Sequence, residues 1–167
     1  MIRFRAIEPC DADLLYEAEN EESVWTDSDT LAPYSRHLLR QYAEGYRADP
    51  IAEGQLRLMA VESQTGEPIG ILDFYDISFF HSRSFVGVYV FPRHRRQGRA
   101  TAILRAGADY ARKRLGLRIL AAKVLATNPA SLQLFRRAGY DHSGCLPAWQ
   151  LTGDTPVDLH LLTLPLP

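Results

Sequence analysis

The run Phe91-Pro92-Arg93-His94-Arg95-Arg96-Gln97-Gly98-Arg99-Ala100-Thr101 gathers four guanidinium groups around one glycine. Apolar or small residues follow at helical spacing, at Ala100, Ile103, Leu104, Gly107, Ala111 and Leu115, so the cluster stands at the start of a helix. A helix N-terminus already carries unpaired N–H groups and a partial positive charge. Cations gathered there make sense chiefly if an anion sits among them. Gly98 lets the main chain approach that anion, Ala100 keeps the first turn free of bulk, and a multiply charged phosphate suits the position. The plain alternative is a solvated basic loop. Neither GxxxxGK[ST] nor GxGxxG occurs, so the phosphate belongs to no Walker or dinucleotide-type loop.

The elements that must present this loop follow from the rest of the chain. With 167 residues, 46% hydrophobic and 23% charged, a single domain spanning 1–167 is expected. Nineteen Lys and Arg against twenty Asp and Glu give a formal net charge of −1, which excludes a surface built to coat nucleic acid or anionic lipid. The arginine cluster has no interleaved aromatic beyond Phe91, and no nucleic-acid partner is expected. No apolar run approaches the roughly 20 residues of a membrane span, and the N-terminus alternates where a signal peptide would be continuously apolar. Cys10 and Cys145 form no metal or disulfide pattern, and His37, His94, His142 and His160 lie at no ligand spacing. A cytoplasmic chain without metal or membrane is the expectation.

Alternation predicts strands at 2–7, 56–60, 69–75, 84–91, 117–125, 140–149 and 157–164. Helical spacing predicts helices from Pro9 to about Glu19, from Pro33-Tyr34-Ser35 onward, at 98–115 and at 129–138. The order is that of an α/β fold with a central mixed, mostly antiparallel sheet of six or seven strands and helices on both faces. Strand, helix and strand between 84 and 125 supply its one parallel pair.

Arg95-Arg96-Gln97-Gly98-Arg99-Ala100 resembles the R/Q-x-x-G-x-G/A signature of the GNAT family of N-acetyltransferases. Asn128-Pro129-Ala130-Ser131-Leu132-Gln133-Leu134-Phe135-Arg136-Arg137-Ala138-Gly139-Tyr140 resembles that family's second block, N-x-x-A/S-x-x-L-Y/F-x-x-x-G-F/Y, one strand downstream. The resemblance is nearest to the branch of ribosomal-protein N-terminal and spermidine acetyltransferases. It implies an acyl-CoA N-acyltransferase fold, transfer of acetyl from acetyl-CoA to a primary amine, and pairing into a homodimer. It also implies that main-chain N–H groups of residues 95–101 hold the diphosphate, Thr101 included, and that pantetheine runs along Val88, Tyr89 and Val90. By the same resemblance Asn128 reaches the pantetheine arm, beside Ser131 and Phe135; Asn before Pro is equally a helix cap, and both roles can coexist.

Acetyl transfer to an amine needs a neutral nucleophile, donors for the developing oxyanion and a proton for the leaving thiolate. The family's Tyr acid falls on Phe135 and its Glu base on Phe85, neither of which can exchange a proton. A thiol with a reference pKa near 8.5 still leaves tolerably, with water or Tyr89 in the acid's place. His81 suits a base by its intrinsic pKa, and Asp73 shares a face with Tyr75, where it could hold or deprotonate an amine; the plain readings are a solvated loop histidine and a surface acid. Between Ala6 and Ser35 stand Glu8, Asp11, Asp13, Glu17, Glu19, Glu21, Glu22, Asp27 and Asp29 and no Lys or Arg. An acidic rim would attract a polyamine-like acceptor or a basic peptide N-terminus, with Glu21, Glu22, Trp25, Tyr75 and Trp149 as its contacts. A module that binds CoA without turnover is the alternative.

Overall fold

Seven stretches of alternating side chains pair into one sheet: β1 (Ile2–Arg5), β2 (Leu56–Glu62), β3 (Pro68–Ser78), β4 (Arg83–Val90), β5 (Ile119–Leu125), β6 (Asp141–Thr152) and β7 (Thr155–Pro165). Their spatial order is β1-β2-β3-β4-β5-β7-β6. The computed structural model describes residues 1–25, 28 and 30–167. Its helices are α1 (Ala12–Glu19), α2 (Glu22–Trp25), α3 (Arg36–Gly45), α4 (Pro50–Glu53), α5 (Arg99–Leu115) and α6 (Pro129–Arg137). Met1–Arg5 and Asp49–Pro167 form one unit, which holds the whole sheet; Ala6–Ala48 form a second.

β4 and β5 run parallel and every other neighbouring pair is antiparallel, as the element order predicts. The last two strands are longer than the sequence suggested. Gly153-Asp154 turns β6 directly into β7, and the pairing continues out to Thr152↔Thr155. The short helices α2 and α4 were not anticipated, and the stretch at Pro9–Asp11 is a 3-10 turn that precedes α1.

One face of the sheet is packed by α5. Tyr110 of that helix stands edge-on to Phe4 at 5.8 Å and stacks with Phe74 at 6.3 Å, while Leu72, wholly buried, lies under Gly107. Gly70 has another purpose: a Cβ built there would stand 2.2 Å from the Tyr89 carbonyl oxygen and 3.2 Å from Ile103. Only a residue without a side chain lets β3, β4 and α5 approach so closely just below the arginine loop.

Tyr140, which follows α6, is 2% exposed and meets Phe135 edge-to-face at 5.1 Å. Its hydroxyl has no hydrogen-bond partner among the described residues, and burial raises its pKa well above the usual tyrosine range. Since the unfolded chain ionises first, stability is retained below about pH 10 and lost above it. Tyr140→Phe is therefore expected to be neutral or stabilising by up to about 1 kcal/mol in urea denaturation at neutral pH, and to soften the alkaline loss.

In the second unit α1 packs on α3, burying Leu15, Ala18, Leu39 and Ala43. Asn20 clips Tyr34 through two main-chain hydrogen bonds of 3.0 and 2.8 Å, and Ser35 caps α3 by accepting the Leu38 N–H.

Candidate active site

β4 has eight residues and β5 seven, yet they pair only through Arg83, Ser84 and Phe85 against Ile119, Leu120 and Ala121. Beyond those pairs the parallel strands part. The Phe91 N–H donates to the Ile69 carbonyl at 3.0 Å, and the β3–β4 register is unbroken from there to Tyr75↔Phe85. Antiparallel alternation then turns the main-chain groups of Phe85, Gly87 and Tyr89 toward β3 and those of Val86, Val88 and Val90 toward the opening. The Val90 carbonyl accepts from Arg95 Nε at 2.9 Å, which agrees with that parity. On β5 the Ala126 N–H donates to the Asp158 carbonyl, so Lys123 and Leu125 present their main chain to the same gap.

The loop after β4 leads into α5 with φ of +60° at Arg96 and +71° at Gly98. Left-handed residues on either side of Gln97 curl the main chain so that successive N–H groups converge, the arrangement of an anion nest. The first helical hydrogen bond is from Ala102 N–H to Gly98 C=O, and Gly98 has no side chain to cap the turn. The N–H groups of 98–101 therefore have no acceptor within the helix.

The four arginines do not share this site equally. Arg99 is taken by Glu62 at 2.6 Å, Arg93 lies beside His94 and Glu67, and Arg95 stacks over the Tyr89 ring at 5.3 Å while it holds Val90. Arg96 is exposed and has no ion pair among the described residues. The N-terminal ammonium and, after it, Arg99 hold the Glu62 carboxyl below the usual glutamate range, so this link is kept at neutral pH and lost as pH falls through the lowered value. Main-chain N–H groups at the start of α5, with Arg96, are what this loop could offer an anion; the dense cationic cradle suggested by the sequence is mostly spent on neighbours.

The proton-transfer candidates are not brought together. Asp73 faces Arg57 directly in the β2–β3 register, with Nε to Oδ1 at 2.7 Å and Nη2 to Oδ2 at 3.0 Å, so both its oxygens are engaged and it is no free base. His81 is exposed in the β3–β4 turn, roughly 20 Å along the strand from Val88 at the usual rise per residue. Tyr89 sends its main chain to β3, and its ring supports Arg95 and meets Phe91 edge-on at 5.6 Å. Asn128 caps α6, its Oδ1 accepting the Ser131 N–H at 2.9 Å, and Phe135 is 5% exposed in the core.

Tyr75 stacks on Phe85 at 5.6 Å, where the strands begin to part. Lys123, which sequence reasoning missed, sets its Nζ 4.4 Å from the centroid of that Phe85 ring. Trp149 is 62% exposed on the edge strand β6. In the second unit Trp25 donates Nε1–H to the Glu19 carbonyl at 2.9 Å, Glu21 accepts from Ser23, and Glu22 is exposed. Asp11 is buried against the Glu8 N–H and Asp13 pairs with Arg36, while Asp27 and Asp29 lie outside the described residues. Among the described residues no group of three or more side chains could hold a metal, and no helix is long and apolar enough to cross a membrane.

Parallel strands that part at their C-terminal ends beside the N-terminus of the crossover helix form the kind of crevice in which α/β sheets take their ligands. Residues 2–141 match the acetyltransferase (GNAT) domain, and the chain belongs to that family of N-acetyltransferases. It is 29% identical over 103 residues to the uncharacterized N-acetyltransferase YoaA of Bacillus subtilis; the alignment spans 62% of this chain and 58% of that protein. The fold is similar to that of the spermidine N-acetyltransferase from Vibrio cholerae solved in complex with CoA and spermine, with a TM-score of 0.84 and 19% identity over 99% of this chain and 95% of that one. A chimera of the Vibrio cholerae enzyme SpeG and hSSAT gives a TM-score of 0.82, again at 19% identity, over 98% and 95%. At such identities the likeness is one of fold.

Proposed function

We propose that the chain takes acetyl from acetyl-CoA and passes it directly to a primary amine. The observation that carries this reading is the opening between β4 and β5, which ends on the Arg96-Gln97-Gly98 nest. The diphosphate rests on the N–H groups of residues 95–101, with Arg96 beside it, and pantetheine replaces the missing strand partner along Val88 and Val90. Asn128, Ser131 and the α6 turn border the other side.

Acetyl-CoA supplies an activated acyl group. The Val88 N–H lies on the open edge and receives the charge that develops on the carbonyl oxygen. The amine nitrogen bonds to the carbonyl carbon, the carbon–sulfur bond breaks, and the nitrogen's proton passes to the sulfur or to water. Phe135 donates nothing, and the thiolate's own stability carries the departure. Cys10 and Cys145 are exposed and lie in neither motif, so no acyl-enzyme is needed.

The acidic stretch between Ala6 and Ser35 keeps a cationic acceptor, polyamine-like or a basic peptide N-terminus, as one reading of the acceptor. The groups at the opening, Lys123 above all, bear more directly on the choice of amine. Incubation with acetyl-CoA and an amine panel is expected to give acetylated amine and free thiol in equal amounts, read by mass spectrometry and a thiol reagent. Tight CoA binding with no product from any amine would instead support a sensor, the reading that Phe85 and Phe135 together favour.

A further inference from the structure

β3, β4 and β5 together carry four charged side chains: Asp73 and Asp76 on β3, Arg83 on β4 and Lys123 on β5. Three are compensated. Asp73 is paired with Arg57 at 2.7 Å, and Asp76 with Arg83 at 3.0 Å. Lys123 has no carboxylate within ion-pair distance among the described residues, is exposed, and rests instead on an aromatic face 4.4 Å from its Nζ. Its position follows from the register. Phe85↔Ala121 is the last pair before the gap, so Lys123, two residues on, presents its side chain on the same face as Phe85 and directly beyond the point of parting.

The Phe85 ring is covered in turn by Tyr75, 5.6 Å away and inclined by 19°. Three adjacent strands thus contribute a flat apolar platform with one uncompensated cation at its edge, beside the main chain that faces the opening. A second cation brought onto this platform meets repulsion across a few ångströms, whereas an anion meets attraction that no uncompensated charge on β3 or β4 opposes.

We propose that the acceptor amine also carries an anionic group, a carboxylate or a phosphate, which Lys123 holds while the apolar part of the molecule lies on Tyr75 and Phe85. The inference rests on the transferase reading and names its acceptor class. A polyamine has no group for Lys123 and is the poorer acceptor.

The test compares phenylalanine with phenylalaninamide, and O-phosphoethanolamine with ethanolamine, alongside spermidine, by thiol release from acetyl-CoA. Each matched pair differs in its anion, and the two pairs distinguish carboxylate from phosphate. In Lys123→Gln the ratio of kcat/KM for the better anionic acceptor over its partner without the anion is expected to fall about tenfold, the usual worth of one charge-assisted contact. Lys123→Arg is expected to keep most of the ratio, and Lys123→Glu to lower it further and to raise turnover of spermidine. Comparing ratios between variants removes the intrinsic basicity of each amine, and melting curves check that the exposed substitution leaves the fold intact.

A fall of less than threefold in both pairs overturns the proposal while leaving the transferase reading in place. Thiol release from no amine at all overturns both.

Discussion

Gly98→Glu is expected to weaken CoA binding about a hundredfold or more while the protein melts within about 5 °C of the parent. The two halves of that expectation have separate causes. Space is not limiting, because nothing lies within 4 Å of a Cβ built at Gly98. The φ of +71° is the only local penalty, about 1–2 kcal/mol for a residue with a side chain, which is a few degrees in a domain of this size. Binding suffers far more. A carboxylate beside the nest repels the diphosphate, and the side chain bars its approach to N–H groups that contribute about 1.5–3 kcal/mol each when they face a charged acceptor. Two such contacts already amount to the expected loss. Calorimetry with CoA, run beside a thermal melt, checks both halves; affinity within threefold of the parent would remove this loop as the diphosphate site.

Gly70→Ala should do the reverse, striking stability first. The added methyl would lie 2.2 Å from the Tyr89 carbonyl oxygen, 3.1 Å from the Val90 Cα and 3.2 Å from Ile103, and two of those three contacts are to main chain. Main chain in the middle of a sheet cannot turn aside as a flexible side chain does, so β4 must shift or its pairing with β3 must loosen. We expect a loss of about 3 kcal/mol, near the upper end for overpacking, and a melting temperature lower by roughly 10 °C. Because the displaced strand carries Val88 and Val90, CoA affinity should fall as well in the fraction that remains folded. A melting temperature unchanged within 2 °C or so would mean that β3 and β4 have slack the close contact does not suggest.

Much of the arrangement was legible from residue order. The 98–115 periodicity and the glycines at its ends predicted α5 within one residue, because an isolated amphipathic helix declares itself locally. The parallel pair followed from strand, helix and strand in succession. The partners of the charged groups were harder to read. Arg57 and Asp73 stand 16 residues apart, and their pairing could have been found only by folding the β2–β3 hairpin at a definite register. Glu62 and Arg99 meet across 37 residues, which no local pattern records. The sequence therefore overstated the positive charge offered to a phosphate and left Asp73 looking available.

Lys123 escaped for a related reason. Its companion on the next strand depends on a parallel register, and that is set by the length of the crossover through α5 rather than by any motif. The left-handed Arg96 was likewise invisible, since arginine has no preference for that conformation. Phe85 and Phe135 could be noted as departures, but only the geometry tells them apart: one is a half-exposed platform at the opening, the other a core ring against Tyr140.

The three-pair junction between β4 and β5 also makes the sheet a half-fastened seam. A carrier lying along that seam, as proposed above, would do for it what a further strand would do, lending contacts to amides that face the gap. Occupancy and rigidity are then linked by mass action. On the proposed reading, the amide hydrogens of Val88, Val90, Lys123 and Leu125, whose main chain faces that seam, should exchange slowly when the carrier is in place and quickly once it departs, while those of Gly87 and Tyr89, turned toward β3, should not change.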